Sequence, residues 1–313
     1  MRMRKLGSNG PEISVVGYGA WEAGGMAWGP NPPDQETLAA MGAAFDAGIT
    51  WVDTAEVYGG GRSEELVAKA VAGRDDVLVF TKVAPRPAGS GFDVQGVRAA
   101  AEASLRRLGR EVIDVYQLHW PHPEIAVEET WEAMAGLVDA GLVRWIGVSN
   151  FSVELIERCE RVRHVDSLQP HFSMLHRDGR DDLFVHCDQA GTGILAYGPL
   201  AYGLLTGAFD ETTTFSDDDW RSGKHGMGAY DELFASDRFR RNLAIVDALR
   251  PIAERKDVTL AQLALGWVVH QRGVTAAIAG SRSPAHVRDN AGAGDVELDG
   301  QDLDDIEEVL TRG

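Results

Sequence analysis

The chain has 313 residues, 44% of them hydrophobic, and a formal net charge of −18. That length leaves room for a large domain with a buried core. The charge opposes nucleic-acid phosphates and anionic lipid surfaces, and no basic patch in the sequence offsets it.

Two cysteines, Cys159 and Cys187, lack partners at zinc-ligand spacing. No run of about 18 to 20 apolar residues follows the basic N-terminus or occurs later, so neither export nor a membrane span is expected. The expectation is a cytoplasmic protein that binds neither nucleic acid nor membrane.

In chain order, a Gly-Ser-Asn-Gly-Pro turn between residues 3–6 and 12–14 predicts a hairpin that closes the bottom of a barrel. Short β-branched runs then alternate with longer amphipathic ones, the order that gives parallel strands joined by crossover helices. Strands are predicted at 15–19, 49–53, 77–81, 112–119, 144–149, 167–169, 193–197 and 276–280. Asp34 is expected to cap a helix closed by Gly48, Asp93 one closed by Gly109, and the run from Ala126 to stop at Gly141. The polar segment 207–234 is too long for an ordinary connection and predicts a loop over the active face, and 301–310 predicts an extra acidic helix. No composition break marks a second domain. The reading is one (β/α)8 TIM barrel over residues 1–313 with an N-terminal hairpin and a C-terminal helix.

Reacting groups in such a barrel stand at the carboxyl ends of its strands. Those positions hold Asp53 and Tyr58 in DTAEVYGGG, Lys82 after Thr81, His119 in QLHWPHP, Ser149 and Asn150 in GVSNF, Gln169, and Tyr197 in AYGPL. Singly, each has a structural reading: Asp53 a turn cap, Lys82 a solvated strand end, Tyr58 and Tyr197 core rings, His119 a half-buried side chain, Ser149-Asn150 a helix cap. Together an acid, a phenol, an ammonium and an imidazole converge on one mouth, a set with complementary acid–base roles.

These segments, with FDAGITWVDTAEVYGGGRSEE, VFTKV, GLVRWIGVSNFS, AYGPLAYGLLTG and IAGSRSPAHVRDN in the same order, resemble the aldo-keto reductase family over nearly the whole chain. The likeness is to the bacterial and plant branches that carry GVSNF and PLxxGLLTG. It implies an NADP-dependent oxidoreductase that reduces aldehydes or ketones, with a catalytic set of Asp53, Tyr58, Lys82 and His119. Tyr58 would donate the proton. Lys82, held charged by Asp53, is expected to lower the phenol's pKa, and His119 to donate to the same carbonyl oxygen.

The resemblance also implies the cofactor site. Ser149, Asn150 and Gln169 would take the nicotinamide carboxamide, Tyr197 would stack on the ring, and Gly198, Pro199, Leu200 and Gly203 would follow along the dinucleotide. Gly280 and Ser281 lead into a helix whose N-terminus suits phosphate oxygens, Arg282 adds a cation for a 2′-phosphate, and Asn290 would face the adenine. Family members commonly carry Arg or Gln where this chain has His286, which bears on how firmly a 2′-phosphate is held. NADPH is expected to bind more tightly than NADH. Trp21, Trp28 and Trp120 are expected at the substrate, with Trp220 near the same mouth and loops 24–30, 85–92 and 207–230 shaping the pocket.

Competing chemistries fit less well. Val16-Gly17-Tyr18-Gly19-Ala20 does not complete G-x-G-x-x-G, Gly59-Gly60-Gly61 lacks the Gly-Lys-Ser/Thr ending of a phosphate loop, and Pro121 and Pro123 deny His119 and His122 helical metal-ligand spacing. A nucleotide-sensing subunit, like the potassium-channel β subunits that share this fold, stays open beside the reductase reading.

Overall fold

The structure, a computed structural model, describes residues 1–86, 92–226 and 228–312. The pocket loops expected at 85–92 and 207–230 therefore lie partly outside the described residues. Strands β1 (Met3–Lys5) and β2 (Glu12–Ser14) form the antiparallel hairpin. Eight parallel strands follow and close a barrel: β3 (Val16–Gly19), β4 (Trp51–Asp53), β5 (Leu78–Val83), β6 (Ile113–Leu118), β7 (Val143–Ser149), β8 (Ser167–Gln169), β9 (Gly193–Tyr197) and β10 (Val274–Ala279), with β10 pairing β3.

Helices α1 (Asp34–Asp46), α2 (Arg62–Ala70), α3 (Val94–Leu108), α4 (Val127–Asp139), α5 (Val153–Glu160) and α6 (Leu183–Ala190) each connect consecutive strands. Two helices, α7 (Ser236–Arg255) and α8 (Leu260–His270), lie between β9 and β10, and α9 (Pro284–Gly292) and α10 (Gly300–Arg312) complete the chain. Arg255 and Lys256, at the end of α7, pair with Asp302 of α10 and so tie down the predicted C-terminal helix. Among the described residues no helix is long and apolar enough to cross a membrane.

Side chains two apart on a strand share a face. Trp51, Phe80 and Val115 thus point into the barrel, where they pack with Leu195, Ala276 and Ile278, and their next-but-one neighbours Asp53, Lys82 and Gln117 form a polar layer directly above. Residues of the opposite strand face, such as Val52, Val79 and Tyr116, face the helices. Leu6 and Ile13, on either side of the hairpin turn, are fully buried against the inner apolar layer and plug the barrel floor.

Local signals mostly hold. Asp93 caps α3 through the Gly96 N–H at 2.8 Å, and Gly109 closes it with φ 62°. Asp34 is a correction: Pro33 is the N-cap, and Asp34 is the first helical residue, paired with Arg62. Proline at 33 already holds the extended backbone that an N-cap needs, so the helix begins at Asp34, one residue earlier than a cap at Asp34 would set. Strand β5 runs two residues past its expected end, which sets Lys82 inside the strand rather than at a solvated terminus. The segment 207–234 carries 3₁₀ turns at Trp220–Ser222 and Gly228–Phe234.

Removing the floor should be expensive. Leu6→Ala is expected to lower stability by about 2–5 kcal/mol, as for other large-to-small changes in a packed interior. Urea unfolding followed by tryptophan emission checks this, and an unchanged midpoint would remove the hairpin from the core.

Candidate active site

Lys82 is fully buried and Asp53 is 3% exposed. The Lys82 ammonium donates to Asp53 Oδ1 at 2.5 Å, to the Thr54 carbonyl at 2.9 Å and to the Tyr58 hydroxyl at 3.4 Å. Asp53 Oδ2 accepts from Gln169 at 2.8 Å and from Gln117 at 3.5 Å. Burial works against the ammonium, but Asp53 and Tyr58 outweigh it and hold the Lys82 pKa above its ordinary value. Barrel closure brings these strand ends together.

Tyr58 comes from the loop after β4. The chain turns back beneath it through Gly59, Gly60 and Gly61, all with positive φ; a Cβ on Gly59 would lie 2.2 Å from the Gly24 carbonyl oxygen. Burial raises the phenol's pKa and Lys82 opposes it without cancelling it. Lys82 thus lowers the phenol's pKa as expected, but burial outweighs it, so the phenol stays protonated and Lys82 limits the rise.

His119 is 5% exposed, its ring set edge-on to Tyr58 with centroids 5.7 Å apart. Burial first, and the Lys82 charge second, push its pKa well below the ordinary value, so the imidazole is neutral near pH 7. Its Nδ1 has no hydrogen-bond partner among the described residues. Trp120 stacks on the His119 ring at 3.8 Å and is otherwise 42% exposed, so it backs the histidine.

The expected nicotinamide residues are coupled to this set. Ser149 Oγ donates to the Gln169 carbonyl at 2.8 Å, and Ser152, not Ser149 or Asn150, caps α5. Asn150 adopts φ 62° and donates to the His119 carbonyl at 3.1 Å while accepting from the Tyr197 hydroxyl at 2.8 Å. One face of the Tyr197 ring is covered by His171, stacked at 5.2 Å. The turn after β9 runs through Gly198, Pro199, Leu200 and Gly203; Gly198 and Gly203 have φ 66° and 102°, and a Cβ on Gly198 would lie 2.9 Å from the His171 ring.

At the end of β10, Gly280 lies against β3, where an added Cβ would sit 2.4 Å from the Gly19 carbonyl oxygen. The Ser281 carbonyl accepts from Tyr18 at 2.9 Å, Ser283 caps α9 through the His286 N–H, and Asn290 is buried in that helix. Arg282 does not point free: it donates to the carbonyls of Trp28 at 3.0 Å and Pro30 at 3.1 Å, and its Nε lies 3.5 Å from Glu22 Oε2.

Over the mouth, Trp21, Trp28, Trp220 and Tyr202 form an aromatic cluster, with Trp21 edge-on to Trp28 at 5.0 Å and Trp220 edge-on to Tyr202 at 4.9 Å. Trp220 is held there by its N–H to the Ala27 carbonyl at 2.9 Å. The Trp28 and Trp220 indole nitrogens and the Tyr202 hydroxyl are buried without hydrogen-bond partners among the described residues. Several residues of this site escaped sequence reading, among them His171, Tyr202, Gln117, Glu22 and Tyr230. Gln117 was legible in principle, two residues before His119 on the inward face; Glu22 and Tyr230, whose hydroxyl meets that of Tyr197 at 2.8 Å, sit in loops without periodic signal.

Asp53→Ala leaves a buried ammonium without its counter-ion and is expected to destabilise the fold by about 3–5 kcal/mol. Adding Lys82→Met should recover part of that loss. Denaturant midpoints of the two variants test it, and equal midpoints for Asp53→Ala and the native chain would refute a charged buried pair.

A family model described as the Aldo/keto reductase family matches residues 15–311. The chain is 35% identical to aldo-keto reductase YhdN of Bacillus subtilis (strain 168), over 99% of this chain and 94% of that protein. Among solved structures it is similar to the glycerol dehydrogenase AKR11B4 from Gluconobacter oxydans, with a TM-score of 0.87 and 31% identity over 99% of this chain and 95% of that one. It is also similar to an aldo-keto reductase from Klebsiella pneumoniae in complex with NADPH, with a TM-score of 0.77 and 30% identity over 99% and 96% of the two chains. The barrel, the polar layer at its strand ends and these likenesses agree, and the chain belongs to the aldo/keto reductase family.

Proposed function

We propose that this chain reduces aldehydes or ketones to alcohols with NADPH, Tyr58 acting as proton donor. The observation that carries the reading is the buried Lys82 ammonium bonded to both Asp53 and Tyr58, with the neutral His119 ring against the same phenol. NADPH, when bound, supplies a hydride to the carbonyl carbon. Charge then develops on the carbonyl oxygen, and the protonated Tyr58 gives it a proton. Lys82 stabilises the phenolate left behind, Asp53 keeps Lys82 charged, and Gln117 and Gln169 hold Asp53. A neutral His119 keeps one N–H to donate to the same oxygen without adding a second buried cation beside Lys82.

Two features of the mouth support an oxygen-rich ligand. Buried donors without protein acceptors stand there on Trp28, Trp220 and Tyr202, and an α-helix begins at the end of β10. Ser149, Asn150, Gln169 and Tyr197 would hold the nicotinamide end, the Gly198–Gly203 turn the middle, and Gly280, Ser281, Arg282, His286 and Asn290 the adenosine end. The NADPH complex of the Klebsiella pneumoniae relative supports this cofactor. Trp21 and Trp28 would wall the carbonyl substrate, with Trp120 fixing His119 from behind.

Tyr58→Phe is expected to reduce kcat/KM at least about a hundredfold while NADPH affinity stays within a few-fold. Near-normal turnover in that variant would defeat the assignment. Lys82→Met should slow reduction and move the alkaline limb of the pH profile upward, because nothing then opposes the rise that burial imposes on the phenol. A limb at the native position, with NADPH still bound, would take Lys82 out of the proton step. Steady-state NADPH oxidation across small aldehydes, sugars, keto acids and quinones separates an enzyme from a nucleotide sensor, which would release product too slowly to turn over.

A further inference from the structure

Glu22 opens a 3₁₀ turn (Glu22–Gly24) just after β3, across from the β10–α9 junction. Its side chain is 24% exposed and that of Arg282 is 22% exposed, so the pair is only partly screened by solvent. The guanidinium is engaged on three nitrogens, by Glu22 and by the Trp28 and Pro30 carbonyls. The other charged or titratable groups facing Glu22 among the described residues are Arg221, His286 and Asp219. Arg221 is itself committed to Asp219, through bonds of 2.6 and 2.9 Å, and to the Tyr202 carbonyl. Arg282, the cation expected to meet a 2′-phosphate, therefore already has a carboxylate partner.

We propose that Glu22 sets the nucleotide preference of this chain, by competing with a 2′-phosphate for Arg282 and by placing a negative charge beside it. The inference rests on the NADPH reading above. A phosphate approaching Arg282 competes with the Glu22 carboxylate for the same cation, and it meets a like charge beside it. NADH has a 2′-hydroxyl there and meets neither effect. The native preference for NADPH is consequently shallow, below about tenfold, although an arginine stands in the site. Replacing the carboxylate by its amide keeps the shape of the side chain and removes the competing charge from Arg282 Nε, while the Trp28 and Pro30 carbonyls still hold the other two nitrogens.

The test is calorimetric titration of NADPH and NADH into the native chain, Glu22→Gln, and Glu22→Gln combined with Arg282→Ala. Glu22→Gln should strengthen NADPH binding about tenfold and leave NADH within about twofold, and the gain should vanish when Arg282 is also removed. An unchanged NADPH-to-NADH ratio in Glu22→Gln, with both nucleotides bound, overturns the proposal and leaves the cofactor reading intact. A gain that survives loss of Arg282 also overturns it. Native protein that binds neither nucleotide defeats the cofactor reading itself, and this inference with it. Should Glu22→Gln lose both nucleotides, Glu22→Ala is judged by the same ratio.

Discussion

A lysine ammonium with no solvent exposure is the constraint around which this barrel is arranged. Removing such a charge from water is costly, and it persists only where a counter-ion and further acceptors meet it with good geometry. Asp53 from β4, the Thr54 carbonyl and the Tyr58 hydroxyl supply them, while amides from β6 and β8 satisfy the other carboxylate oxygen. Asp53 and Lys82 stand on the neighbouring strands β4 and β5, but Gln169 reaches Asp53 from β8 across the barrel, so the full set of partners assembles only when the barrel closes. Fold and chemistry are thus linked through one ion pair: the same closure that buries Trp51, Phe80 and Val115 below lifts Asp53, Lys82 and Gln117 into contact above.

The electrostatics of the neighbours follow from that charge. Lys82 helps keep His119 neutral, and it is the only strong influence that draws the Tyr58 phenol down against its burial. The resulting division has a phenol that holds its proton, an imidazole that carries no charge, and one permanent cation placed where negative charge would appear. Farther out, the strap carrying Trp220 and the loop carrying Trp28 are joined by backbone hydrogen bonds, and Arg282 fastens that loop to the end of β10. The outer site is held by loop contacts and the inner one by strands.

The inner site was legible because it obeys strand periodicity. Asp53, Lys82, Gln169 and His119 fall at or next to strand ends where β-branched runs stop, and the family-like motifs fix the register. Reading failed where local propensity met a competing local constraint. Asp34 has the chemistry of a cap, but Pro33 already held the extended backbone. Strand β5 continues past Thr81 because Lys82 is paired within the barrel, which a sequence scan treats as a polar stop. The net pKa of Tyr58 depends on how far burial outweighs one cation, a balance of three-dimensional surroundings. Arg282 and Glu22 lie 260 positions apart in the chain, and their pairing had no sequence signal at all.

The central claim is that Lys82 acts on the Tyr58 phenol and that burial leaves that phenol protonated. Titration of the Tyr58 ring carbon by NMR, in protein labelled at the tyrosine Cζ, reads this directly, with Tyr58→Phe assigning the resonance. The account predicts a phenol that titrates above the ordinary tyrosine value of about 10 in the native chain, and still higher in Lys82→Met. A native phenol that titrates below that value, or one whose titration is the same with and without Lys82, would contradict it.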